Sequence, residues 1–360
     1  MTSRPRPARR LAVTATGLAL AALAAGLAGA PAATAAPQAS GSHTSPETSD
    51  PAAVRALLAT LPDGVTDAAL VRVSGRGVRI PYTGTAGPVE ADASFPVGSV
   101  TKIFTDAIVL QLVAEHRIGM DEPVRPHLPD LIPAAYAGVT VRQLLDHTSD
   151  LPRPQGAPDA RAMVAASFAA DAAAHPGRIP APGTVQQYNG LNSFVAGLLV
   201  EQVTGRSYAG ELDRRILRPL ALRHTALSED PAVARAWSEG GLTSTAADLD
   251  AFLRALLDGR LLPPRQQRHL FEVPAVPSAP GNTSCPTSEA CFSAGGLMGI
   301  ELNGTKVWGK TGSMGGWTSG IFASADDHRR TVYALRPASA ATPAQQRARV
   351  VAVVEAALTQ

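Results

Sequence analysis

In this 360-residue chain, strand-like segments gather near the two ends and helical patterns fill the long stretch between them. Near the start, Ala69-Leu70-Val71-Arg72-Val73 and Val78-Arg79-Ile80 flank Ser74-Gly75-Arg76-Gly77, the pattern of a hairpin. Near the end, segments 306–309, 320–323 and 331–335 carry short runs of β-branched and aromatic residues. Helices are expected over 51–61, from Ser99 to Gly119, over 141–145, 192–204 and 246–257, and over 344–358. The simplest way for such distant strands to bury their faces is to pair with one another. The expected fold is α+β: an antiparallel sheet built from both chain ends and covered by helices, with a mainly helical lobe over roughly 100–265 inserted between. No internal repeat is visible.

One hydrophobic core rarely serves more than about 250–300 residues, so two lobes sharing an interface or one large domain fit this length. Apolar residues make up 45% of the chain, enough to fill such a core. The net charge of +2 and the lack of Lys and Arg interleaved with aromatics argue against nucleic acid as a partner.

The first 35 residues read as an export signal. Arg4, Arg6, Arg9 and Arg10 precede an Ala/Leu/Gly run from Leu11 to Ala30, and Ala33-Thr34-Ala35 offers small residues for cleavage. An uncleaved anchor is the alternative, since the run is nearly long enough to span a bilayer. Residues 36–50, rich in Pro, Ser and Thr, are expected to be a disordered linker ahead of a domain over 51–360. The mature protein is then expected to be secreted or extracytoplasmic, with no membrane segment after cleavage. Cys285 and Cys291 are the two cysteines. In an oxidising compartment they would close a small loop as a disulfide, the alternative being two free thiols. The eight His form no zinc-ligand spacing, and no metal or cofactor is expected.

Ser99 and Lys102 stand three residues apart at the start of an expected helix, one turn apart on one face. A serine hydroxyl becomes a nucleophile when a neighbour takes its proton, and a buried lysine is one such neighbour. Lysine is scarce here: only Lys102, Lys306 and Lys310 occur, every other cation of that kind being Arg. Arg cannot deprotonate at useful pH and Lys can, so a lysine in Ser-x-x-Lys is informative. An ordinary solvated helix lysine is the plainer reading. Lys310-Thr311-Gly312 follows an expected strand. Lys310 can attract a carboxylate, and Thr311 and Gly312 can approach an extended ligand, Gly having no side chain to block it. Alone, these three read as a turn. Tyr188, at the start of a helix, can ionise below its usual value of about 10 when cations lie near, or can simply be a core tyrosine.

Taken in order, these pieces resemble the serine β-lactamase and D,D-peptidase superfamily, in particular the branch of class C β-lactamases and secreted D-alanyl-D-alanine carboxypeptidases. The resemblance runs from about residue 60 to the end. It rests on Phe95-x-x-Gly98-Ser99-x-x-Lys102, on Leu144-Leu145-Asp146-His147-Thr148-Ser149-Asp150-Leu151-Pro152, and on Pro182-Gly183-Thr184 with Tyr188. Gly197 through Gly205, Gly241-Leu242-x-Ser244-Thr245-Ala246, and Lys310-Thr311-Gly312 complete it. The resemblance implies that Ser99 is acylated and that Lys102 and Tyr188 shuttle protons. It implies an oxyanion hole from the backbone N–H groups of Ser99 and Ser313, and a carboxylate site at Lys310 and Thr311.

Two positions depart from the family pattern. Gly190 stands where the tyrosine motif, Tyr-x-Asn, has its Asn, so Asn189 and Asn192 become the candidates to replace that amide. Asp150 stands where His-Thr-Ser-Gly-Leu has Gly, in a segment whose His147 is expected to cap and pack. No Gly-x-Ser-x-Gly elbow supports an α/β-hydrolase. The expected activity is a D-alanyl-D-alanine carboxypeptidase acting on peptidoglycan stem peptides, with β-lactams as the other ligand class. A class C-type β-lactamase or an esterase of the same fold is the enzymatic alternative. A penicillin-binding sensor or inactive homologue is the non-enzymatic one.

Overall fold

The strands carry apolar side chains on both faces, and their period of two divides the molecule into layers. In the computed structural model, which describes residues 51–358, Leu70, Val332 and Ala334 face one core. The alternate residues Val71, Val73, Tyr333 and Leu335 face another. The expected signal segment, 1–35, and linker, 36–50, lie outside the described residues.

The strands are β1 (Thr66–Ser74), β2 (Tyr82–Ala86), β3 (Phe95–Pro96), β4 (Ala226–Leu227), β5 (Leu242–Ser244), β6 (Met298–Leu302), β7 (Thr305–Met314), β8 (Trp317–Ser324) and β9 (Arg330–Pro337). Six form one antiparallel sheet in the order β2-β1-β9-β8-β7-β6. β1 pairs with β9, Val71 opposite Tyr333, so strands from the early and late parts of the described residues meet within the sheet. A small sheet in the order β3-β5-β4 lies within the helical part. The helices that position the site are α1 (Ala52–Leu58), α2 (Thr101–Ala114), α3 (Val141–Leu145), α4 (Ala160–Ala174), α5 (Gly190–Thr204), α6 (Ala246–Leu257) and α7 (Pro343–Leu358). Val54 and Leu58 of α1 and Val353, Val354 and Ala357 of α7 fill the core on one sheet face. The helical lobe covers the other.

α2 and α5 are buried almost all round, as helices apolar on every side must be. Phe104 of α2 stacks on Phe252 of α6 with ring centres 3.6 Å apart. α2 ends at Ala114, five residues before the expected stop at Gly119. His116 takes the left-handed conformation, with φ 57°. Its N–H donates to the Val113 carbonyl and that of Arg117 to the Leu112 carbonyl. This is a Schellman stop with histidine where glycine usually sits.

Three further expectations need correction. The partner strand of the first hairpin is 82–86, not 78–80. Val73 pairs with Tyr82, Ile80 is exposed, and residues 75–81 form a loop held by the Gly77 N–H to the His328 carbonyl at 2.8 Å. Lys310-Thr311-Gly312 lies inside β7 rather than in a turn. α4 was not expected: only Val164, Ser167 and Phe168 are buried along it. It has little apolar periodicity and rests on alanine propensity and on Asp159, whose side chain caps the Ala162 N–H.

Two glycines fasten the start of α2 to β7. Gly98 has φ 50°, and a side chain there would meet the Ser313 backbone nitrogen at 2.6 Å. At Gly312 a Cβ would lie 2.0 Å from the Val97 carbonyl oxygen, and Ser319 Oγ donates to that same oxygen at 3.0 Å. The bare face of Gly312 is thus filled by the chain's own backbone, while the residue also lines the cleft that opens from Ser99. Gly312→Ala is expected to lower stability by about 1–3 kcal/mol or more, because backbone must move to admit the methyl. Gly138→Ala, with open space around it, is expected to be near neutral. Chemical denaturation of both variants checks the difference.

Candidate active site

Ser99 lies in a single 3-10 turn, Gly98–Val100, that runs directly into α2. One turn on, the Lys102 side chain is 1% exposed. Its Nζ donates to Ser99 Oγ at 3.0 Å, to the Glu239 carbonyl at 2.8 Å and to Glu239 Oε1 at 2.5 Å. An ammonium has three protons to give, and all three are placed. Burial works against the charge, but Tyr188 and Glu239 outweigh it and hold Lys102 above the ordinary lysine value.

Tyr188 reaches the same point from the segment before α5. Its hydroxyl is buried and makes no well-formed hydrogen bond. Lys102 Nζ and Lys310 Nζ lie 5.2 and 4.6 Å from its ring centre. Burial pushes the phenol up, yet the two ammonium groups, with help from Ser99, bring it below the usual tyrosine value. Lys310 itself is pushed down, first by burial and then by Lys102, against the pull of Tyr188. Its Nζ donates to the Thr311 carbonyl at 2.9 Å. A charge pattern results in which Tyr188 and Lys310 are both held below their ordinary values and Lys102 above its own.

The supporting residues are packed rather than reactive. His147 lies against Tyr188 at 4.7 Å and Phe292 at 5.4 Å. Its Nδ1 accepts from Asn192 Nδ2 at 3.0 Å. Burial and the two lysines push its pKa well down, so it stays neutral. Asp150 takes a left-handed φ of 55°, tolerable for Asp, and its carboxylate binds Arg178 at 2.6 Å and the Ala181 N–H at 2.9 Å. That is the use this chain makes of an acid at this position. Asp106, one turn beyond Lys102, is fully buried, and burial raises its carboxyl far above the ordinary value despite both lysines.

Asn189 and Asn192 do not take the place left open at Gly190. Asn189 Nδ2 donates to the carbonyls of Leu151 and Pro152 at 2.7 and 2.8 Å, and its Oδ1 caps α5 at the Leu191 N–H. Asn192, wholly buried, is spent on His147 and on Ser149 Oγ at 2.5 Å. The place is taken by Glu239. A Cβ at position 190 would lie 3.0 Å from both Cγ and Oε1 of Glu239, so a side chain there would displace the acid. Glu239 was not expected from the sequence, where the single sign of it was the missing side chain at 190. Gln186 was also missed. It binds the Asp146 and Phe292 carbonyls and accepts from the Cys291 and Phe292 N–H groups, tying the Tyr188 segment to the loop closed by Cys285 and Cys291. These cysteines form a disulfide.

A cleft of about 480 Å³ opens from Ser99, Tyr188, Lys310, Thr311 and Ser313 and continues past Cys285 to Val350 and Val354 of α7. Ser313 is exposed on β7, and its amide lies beside Gly98, next to Ser99 in sequence. Among the described residues no cluster of acids, histidines and cysteines fit to hold a metal is present, and no helix is long and apolar enough to cross a membrane.

This sheet, this lobe and a serine bonded to a lysine beside a tyrosine define a hydrolase of the serine β-lactamase and penicillin-binding type. The chain matches the Beta-lactamase family model over residues 54–356 and belongs to that family. A D-stereospecific amidohydrolase from Streptomyces sp. has a similar structure, with a TM-score of 0.69 and 28% identity over 86% of this chain and 98% of that one. Penicillin-binding protein 4 of Amycolatopsis lactamdurans is 29% identical over 211 residues, 51% of this chain and 55% of that protein. Teichoic acid D-alanine hydrolase of Staphylococcus aureus is 30% identical over 136 residues, 38% of this chain and 33% of that protein. The chain therefore spans about half of the first curated relative and a third of the second.

A tyrosine held below its usual value gives a specific pH signature. The rate of Ser99 acylation is expected to rise with pH and level off below pH ~10, as the phenolate forms. Lys310→Met removes one cation and is expected to move that rise to higher pH. Tyr188→Phe is expected to abolish it and to cut the rate about 10²–10⁴-fold. Stopped-flow acylation by a chromogenic β-lactam or ester reads all three.

Proposed function

We propose that this chain is a D-stereospecific serine hydrolase that cleaves amide or ester bonds of D-alanyl substrates through an acyl-enzyme on Ser99. The observation that carries the reading is the Ser99–Lys102 hydrogen bond with the Tyr188 hydroxyl set between two lysines beside it. In the first step Tyr188 takes the Ser99 proton as Oγ bonds to the substrate carbonyl carbon. The proton then passes to the leaving amine or alcohol as its bond to carbon breaks. A water, deprotonated by the same phenolate, bonds to the acyl carbon; the bond from carbon to Ser99 Oγ breaks, the proton returns from Tyr188 to Oγ, and the acid is released. The Ser99 and Ser313 amides face the developing oxyanion, an arrangement that often gives the largest single contribution in acyl transfer. Lys310 and Thr311, which line the same cleft, would hold a carboxylate on the leaving side.

The D-configuration is supported by the D-stereospecific amidohydrolase, which the chain covers almost entirely, and by the relative named for D-alanine hydrolysis. Among cell-wall compounds, the D-alanyl-D-alanine ends of stem peptides are one substrate class this reading admits, with β-lactams as acylating analogues. The export-type N-terminus supports an extracytoplasmic location, where both are met. An amidase or esterase for simpler D-amino acid derivatives is the second reading, and Glu239 favours it.

A fluorescent penicillin is expected to label the protein and to fail on Ser99→Ala. D-Alanyl amides or D-alanyl-D-alanine peptides are expected to turn over, and their L-enantiomers at least about 100-fold more slowly. A stable adduct supports a peptidase or amidase, whereas its rapid release overturns that reading in favour of a β-lactamase. No Ser99-dependent labelling and no turnover of either substrate class overturns the enzyme reading.

A further inference from the structure

Glu239 does more than hold Lys102. Glu239 Oε1 lies within about 5.5 Å of Ser99 Oγ, the contacts of 2.5 and 3.0 Å through Lys102 Nζ laid end to end. In an acyl-enzyme the substrate's α-nitrogen is separated from that oxygen by only two carbons, so it lies within about 3–4 Å of Oγ. An α-nitrogen turned toward Gly190 comes within reach of the acid, because Glu239 borders the space that residue 190 leaves open. Oε1 is used by Lys102, while Oε2 has no hydrogen bond among the described residues, and the Glu239 side chain is 22% exposed.

The chemistry of that space differs from that of an asparagine amide. An amide can donate to the carbonyl of an N-acylated substrate. A carboxylate only accepts, so it repels that carbonyl and attracts a charged amine. We propose that Glu239 binds the α-ammonium of the substrate, so that the chain acts on D-amino acid amides, esters or peptides with a free α-amine rather than on N-acylated stem peptides. This rests on the acyl-enzyme reading above and selects among its substrates.

The test compares D-alanine 4-nitroanilide with its N-acetyl derivative. At pH 6.5 the wild-type kcat/KM is expected to favour the free amine by at least about 10-fold. The preference is expected to fade above the α-amine pKa of about 8. Titration of Lys102, Tyr188 and Lys310 acts on both substrates and largely cancels in the ratio. Glu239→Gln is expected to bring the ratio to about 2 or below. A role confined to positioning Lys102 lowers both rates together and leaves the ratio unchanged, which overturns the proposal. So does equal or faster wild-type turnover of the N-acetyl substrate; if that turnover disappears in Ser99→Ala, the acyl-enzyme reading survives. The pH dependence of the wild-type ratio tests the proposal even where Glu239→Gln does not fold. Absence of any Ser99-dependent turnover removes both readings.

Discussion

A fully buried ammonium beside Ser99 organises this site. Lys102 keeps its charge inside the protein because each of its three protons has an acceptor, two of them on Glu239. An isolated charge at that depth would instead give up its proton. Removing one partner of such a buried pair commonly costs about 3–5 kcal/mol. The acid fits because residue 190 has no side chain. The charge on Lys102, together with that on Lys310, then lowers Tyr188, as the proposed role of the phenol as base requires. The departure at Gly190 and the contact at Glu239 thus form one arrangement.

The rest of the fold serves to keep these groups in register. Ser99 lies in the turn that runs into a helix buried nearly all round, while Lys310 lies on a strand of the sheet. The two are locked where Gly98 and Gly312 let backbone meet backbone. Because β1 pairs with β9, the sheet that carries Lys310 closes only when both ends of the chain are in place. Gln186 and the disulfide loop do the same for Tyr188.

The sheet built from both ends, the inserted helices and the gathering of Ser99, Lys102, Tyr188 and Lys310 in one place were legible in the sequence. Helical spacing and scarce lysine carry chemical meaning along a short stretch of chain. What was not legible depends on contacts across long separations. Glu239 lies 137 residues from Lys102 and belongs to no motif. Asn189 and Asn192 were plausible substitutes by proximity, but proximity along a chain does not show which carbonyls already claim an amide. α4 and the second strand of the hairpin were missed or misplaced where alanine propensity and loop docking, rather than apolar periodicity, decide the structure.

With only three lysines in the chain, ¹⁵N-lysine labelling gives three Nζ signals, and Lys102 can be followed by NMR through a pH titration. Lys102 is expected to stay protonated above the ordinary lysine value in the wild-type protein, and to titrate at lower pH in Glu239→Gln. Identical Lys102 titrations in the two proteins would contradict the account.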